Sequence, residues 1–147
     1  MHRNISLALL SLIALLATSC ASTHVDTQAQ AFVESLAKTH PNVTRLTVHA
    51  IPKGGSSHYA IASTSASKRG TASDEEDLRA MATGEVIVLD EPGAIDVTVP
   101  IREKNGKFHA SAGITIDSKV GRDAAIAEAK MIAQAIDRDL LGMAMDH

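Results

Sequence analysis

The sequence predicts an α+β domain: one five-stranded antiparallel sheet with N- and C-terminal helices packed on one face. Three observations carry this expectation. Residues 94–102 (AIDVTVPIR) follow a period of two, and Asn105-Gly106, a strong hairpin-turn dipeptide, leads into residues 107–117 (KFHASAGITID). Ala125, Ala129, Ile132, Ile136 and Leu140 form one apolar stripe on a helix over residues 122–141. The full order of elements is helix, two strands, short helix, three strands, helix, which suits a single antiparallel sheet.

The elements follow in chain order. Val25, Ala29, Phe32 and Leu36 recur at helical spacing, and His40-Pro41 ends that helix. Residues 43–51 (VTRLTVHAI) and 58–64 (HYAIAST) read as a hairpin with a loop of about four residues at Pro52-Lys53-Gly54-Gly55. Residues 65–73 are small, polar and basic, and read as a loop. Ser73 with Glu76 forms a capping box for a short helix reaching Ala82, and Thr83-Gly84 breaks it. Residues 85–90 (EVIVLD) read as a strand, and Glu91-Pro92-Gly93 as a turn. In the closing hairpin Ile95, Val97, Val99 and Ile101 share a face. A two-residue turn at Asn105-Gly106 pairs Lys104 with Lys107 and Arg102 with His109, so Phe108, Ala110, Ala112, Ile114 and Ile116 join the apolar side. Burying that surface under two helices is worth about 25 cal/mol per Å² of apolar area.

Composition narrows the function. The chain has 147 residues, one Tyr, two Phe and no Trp, so its core is built from aliphatic side chains and offers little stacking surface for flat ligands. The formal charge is −3, and removing residues 1–19 takes away one positive charge, Arg3, which leaves −4. A mildly acidic domain without a basic stripe argues against nucleic acid as a partner. A single cysteine excludes an intrachain disulfide.

That cysteine follows a polar start carrying Arg3, an apolar run over residues 7–16 (LALLSLIALL), and Ala17-Thr18-Ser19. The run is shorter than the roughly 20 residues that span a bilayer and has the layout of a cleaved signal. Ala17-Thr18-Ser19-Cys20 resembles the lipobox of bacterial lipoproteins, departing from it at Ala17, where the family more often has Leu. The resemblance implies a signal peptide over residues 1–19 and a diacylglycerol and acyl-chain (palmitate-type) modification of Cys20, the only group of cofactor kind expected. Several chains anchor stably where one does not. Ala21, with no Asp after the cysteine, resembles lipoproteins placed on the periplasmic face of the outer membrane. The expected organisation is a lipidated tether over residues 20–24, a domain over 25–141 and a tail over 142–147.

Residues 70–84 (GTASDEEDLRAMATG) and 97–116 (VTVPIREKNGKFHASAGITI) resemble segments of Cache domains, the PAS-like extracytoplasmic sensor modules. With the element order, the resemblance covers residues 25–141. It implies a long N-terminal helix behind a five-stranded sheet, and a small-molecule pocket on the opposite face walled by residues 65–83. Two departures matter. No transmembrane helix and signalling module are expected after the domain, and the aromatic and Arg pattern of larger amino-acid-binding Cache receptors is absent from these residues.

The polar sheet face is expected to carry Asp96, Thr98, Arg102, His109, Ser111 and Thr115. Such a set suits a small carboxylate or amine, with Arg102 or Arg79 pairing an anion, Asp96 pairing a cation and Tyr59 as an amphipathic wall. The competing expectation is a solvated face. His49 and His58 flank the first hairpin turn symmetrically, and the strand order that the Cache resemblance implies, with the first strand beside the last, brings His109 near them. This makes the three weak candidates for zinc or copper, against the expectation that they are unrelated surface histidines. Residues 74–77 (DEED) read as an acidic first helical turn rather than a calcium site. Gly54-Gly55 and Gly70 read as turn glycines, and Asp123 and Glu128 as solvent-facing charges. No serine elbow, HExxH, P-loop or dinucleotide fingerprint is present, so no enzymatic activity is expected. Three readings result: a small-molecule-binding or sensory lipoprotein, a structural lipoprotein docking on an envelope protein complex, and a haem- or metal-handling protein. The last draws on a distant likeness to a profilin-like haem-binding family.

Overall fold

The computed structural model describes residues 24–102 and 106–141, except the side chains of Arg102 and Leu141. The expected signal, Cys20, most of the tether, the residues of the second hairpin turn before Gly106, and the tail lie outside them. Eight regular elements are found: α1 (Thr27–Lys38), β1 (Val43–Ala50), β2 (Tyr59–Ser63), α2 (Glu75–Thr83), β3 (Ile87–Glu91), β4 (Ala94–Arg102), β5 (Phe108–Asp117) and α3 (Arg122–Ile136), the last running on into a π-helical turn at Asp137–Leu141. The strands form one antiparallel sheet in the order β2-β1-β5-β4-β3. The fold is therefore the α+β, five-stranded antiparallel arrangement that the pattern predicts.

Both terminal helices pack on one face, α1 over β1 and β2 and α3 over β4 and β5. Period two places Leu46, Val48, Ile95, Val97, Val99, Ile101, Ala110, Ala112, Ile114 and Ile116 under them, all buried. Every residue of the predicted α3 stripe is buried too, and Val33 of α1 is fully enclosed beside Ala29. Gln30 fastens α1 to the sheet with two bonds to one residue: its Nε2 donates to Ser63 O, and its Oε1 accepts from Ser63 N, both at 2.9 Å. Leu46 N–H donates to Thr64 Oγ1 at 3.0 Å just past that strand end.

Three local expectations are corrected. The first hairpin loop spans residues 51–58 rather than four. The turn closed by Gly55 N–H donating to Pro52 O at 2.8 Å lies inside the loop, and a shift after Val48 sets His49 opposite Ala60 instead of His58. The helix cap is Asp74, not Ser73, with Asp77 at the third helical position accepting from Asp74 N–H at 3.3 Å. In the second hairpin the predicted register holds from Ala94 through Ile101↔Ala110, then shifts so that Arg102 pairs Phe108 rather than His109. This irregularity takes Phe108 off the apolar row. Its ring lies against Gly84, where a Cβ would sit 2.5 Å from the ring edge, so the left-handed glycine ending α2 (φ +75°) also clears the phenyl ring.

Residues 64–86, including α2, cross the face opposite α1 and α3, with α2 resting on β4 and β5. That second interface is polar where the first is aliphatic.

Candidate functional site

Between the sheet and the crossing segment lies a cleft of about 170 Å³. Its floor follows from strand register. Arg45, Thr115 and Asp96 stand in one row across β1, β5 and β4, and Thr47, Gly113 and Thr98 in the next. Thr115 Oγ1 donates to Asp96 Oδ1 at 2.6 Å, which holds that carboxylate in place although it is nearly enclosed. Arg45 Nη2 lies 3.5 Å from the same oxygen and 3.9 Å from Glu91 Oε1, so the guanidinium spans two carboxylates. Gly113 sits at the centre of the floor, and nothing approaches within 4 Å of where its side chain would be. The roof carries Lys68, Asp74, Glu76 and Asp77, with Lys68 Nζ donating to Asp74 Oδ2 at 2.8 Å.

At the closed side of the cleft a chain of side-chain bonds ties α2 to the sheet. His49 Nε2 lies 3.2 Å from Asp77 Oδ2, Ser111 Oγ donates to Asp77 Oδ1 at 3.1 Å, and His49 Nδ1 lies 3.0 Å from Ser73 Oγ. An ionised carboxylate only accepts, which puts the imidazole proton on Nε2 and leaves Nδ1 to accept from the Ser73 hydroxyl. Burial dominates both groups. It pushes Asp77 up to about 6 against the opposing bonds from Ser111 and the Asp74 backbone, with Glu76 and Asp74 adding to the rise. It brings His49 down to about 4, with nearby Asp74 opposing and Lys68 assisting. Ser73, His49 and Asp77 are the residue types of a nucleophilic triad. An imidazole at about 4 is a weak base for drawing a proton from serine at neutral pH, and the same bonds fasten α2 to the sheet.

The predicted site residues divide. Asp96 and Thr98 line the cleft, and Ser111 lies beneath it as the partner of Asp77. Arg79 is exposed on α2 and pairs with Glu85 at 3.5 Å, away from the cleft. Tyr59 lies at the end of the sheet, stacked on His24 with ring centroids 3.7 Å apart, and lines a separate shallow recess with the first hairpin loop. The Arg102 side chain is outside the described residues. His109 is half-buried at the strand irregularity, and His58 is lowered chiefly by burial and then by His109 nearby. Among the described residues no group of three or more His, Cys, Asp or Glu converges to hold a metal ion. His49, read in the sequence as a possible metal ligand, has both ring nitrogens engaged.

Arg45, Thr47, Lys68 and Glu91 complete the site without having been singled out in the sequence, together with Asp77, which was read only as part of an acidic first helical turn. The signal for Arg45, Thr47 and His49 was present, because they alternate with Leu46 and Val48 along β1. Asp77 was hidden in an acidic run whose helical phase depends on which residue caps α2.

No protein-family model matches the chain, and no curated protein matches it. Among solved structures, the type II free methionine-R-sulfoxide reductase from Thermoplasma acidophilum is similar at 16% identity and TM-score 0.49, covering 76% of this chain and 91% of that one. The GAF domain of an Acinetobacter phosphoenolpyruvate-protein phosphotransferase is similar at 12% identity and TM-score 0.47, covering 79% and 82%. The Agobacterium tumefaciens repressor BlcR is similar at 16% identity and TM-score 0.44, covering 82% and 69%. Likeness at this level transfers neither ligand nor activity.

Proposed function

We propose that the chain is a lipid-anchored envelope protein of Cache-like type whose cleft between the sheet and α2 binds a small charged molecule. The observation that carries this reading is the cleft itself. Charged side chains from three strands and the crossing segment converge on a floor kept open by Gly113. Arg45 and Lys68 offer positive charge, and Asp96, Glu91 and Glu76 offer negative charge, so a ligand with an ionised amine or carboxylate finds partners on one wall or the other. The anchoring half of the reading is supported by the apolar run and lipobox-like residues ending at Cys20.

The test is a thermal-shift screen of residues 21–147 with amino acids, small carboxylates, polyamines, divalent metals and haem. A ligand present at a hundredfold its Kd stabilises by about 2.7 kcal/mol, a shift that grows with concentration. Gly113→Val fills the floor of the cleft, and it is expected to abolish the ligand-induced shift while the variant alone melts no lower than the parent. A flat response across the panel, or a shift that survives Gly113→Val, removes the cleft as the binding site.

A further inference from the structure

The chain enters its fold at one end of the sheet. His24 stacks on Tyr59 with an interplanar angle of 9°, its Nδ1 lies 3.4 Å from Gly70 O, and it shares a recess with Ile51, Pro52 and Lys53 of the first hairpin loop. Cys20 precedes His24 by four residue steps, which span at most about 14 Å. That is about the 13 Å radius of gyration of a domain of about this size and roughly half its full width or less, so the link cannot reach round from the opposite side. The end of the sheet that holds His24 is the end a lipid on Cys20 draws to the bilayer.

The surface at that end suits such a neighbour. Residues 51–59 carry Lys53 and no carboxylate, Asp26 lines the recess beside them, and Ile51 is 38% exposed. At the other end, where β3 and β5 finish, Asp90, Glu91 and Asp117 are each paired with a cation, Arg122, Arg45 and Lys119 in turn. We propose that the first hairpin loop, residues 51–58, is the membrane-facing surface of the protein, seated on phospholipid headgroups through Ile51 and Lys53. The inference rests on the lipid-anchored reading above. An exposed aliphatic side chain beside a lysine matches the apolar and anionic character of a headgroup layer containing acidic phospholipid. The arrangement also directs the ligand cleft outward, because Arg45 and Glu91 lie toward the far end of the sheet, where β1 begins and β3 ends.

The test uses the full chain, made in a bacterial host and reconstituted in vesicles of phosphatidylethanolamine and phosphatidylglycerol. Ser56→Cys in the loop and Ser118→Cys at the far end each add one thiol to a chain whose other cysteine, Cys20, is held as a thioether. Both serines are exposed, and Ser118 is placed by its backbone bond to Gly93 O at 3.1 Å. In the Cys20-modified protein each added thiol receives the same fluorophore, and quenching by a headgroup-labelled lipid is compared. Quenching is expected to be several-fold stronger at position 56, and to weaken there with Lys53→Glu. Equal quenching, stronger quenching at position 118, or no effect of Lys53→Glu overturns the inference while mass spectrometry shows Cys20 modified. An unmodified Cys20 overturns the anchoring reading and this inference together.

Discussion

His49 and Asp77 face each other at 3.2 Å and titrate in opposite senses. For His49, the folded value of about 4 lies below the ordinary 6.5, so the unfolded chain binds the proton first and stability falls as the pH drops from 6.5 to 4. For Asp77, the folded value of about 6 lies above the ordinary 3.8, so the folded chain binds the proton first and stability rises as the pH drops from 6 to 3.8. Between about 4 and 6 the two slopes oppose. Asp77→Asn removes one arm, and the variant is expected to lose stability steadily on acidification across this window relative to the parent. His49→Gln is expected to gain it. Urea midpoints at a series of pH values measure both, and parallel curves for parent and Asp77→Asn would contradict the coupling. Asp96 and Thr98 were legible at this scale because a strict alternation sorts a strand into two faces. Asp77 was not, since a helix of nine residues turns its faces with a one-residue change of cap. The replacement of Ser73 by Asp74 at the cap changes which acid faces the sheet.

The helices show how much of each element is set by pattern and how much by neighbours. The stripe of α3 appears in the structure without exception, because each of its residues meets the same aliphatic layer. Ile132→Ala is expected to cost about 2–5 kcal/mol, whereas Met131→Ala, at a side chain 58% exposed next to it, is expected to stay within about 0.5 kcal/mol. Denaturant midpoints of the two variants check the contrast. The end of α2 is set by a contact the sequence does not reveal. Gly84→Ala imposes a side chain on a left-handed backbone and drives it into the Phe108 ring, and it is expected to destabilise by about 2–4 kcal/mol. Gly84→Ala combined with Phe108→Leu is expected to recover part of that loss. The β4 boundaries and most of the hairpin register were readable from alternation. The irregularity after Ile101 was not, because a shift of one residue leaves the composition of both strands unchanged.

At the scale of the molecule, one continuous core joins both terminal helices to strands β1, β2, β4 and β5. Such a unit is expected to unfold in one step, with far-UV circular dichroism and the emission of Tyr59, the single tyrosine, following the same curve. An earlier change in Tyr59 would show that the His24 stack opens before the sheet. The helix-and-strand order was legible, while the pairing of β1 with β5 came into the sequence reading only through the family resemblance. Nothing local in either strand names its partner across some sixty intervening residues, a separation that strand order alone creates. That placement has a kinetic consequence. The strand that joins the two halves of the sheet is the last to be made, so a nascent chain holds two strand sets with no seam between them until residue 117 has emerged. Completion of the sheet is thereby deferred to its last strand, with the timing written into its topology.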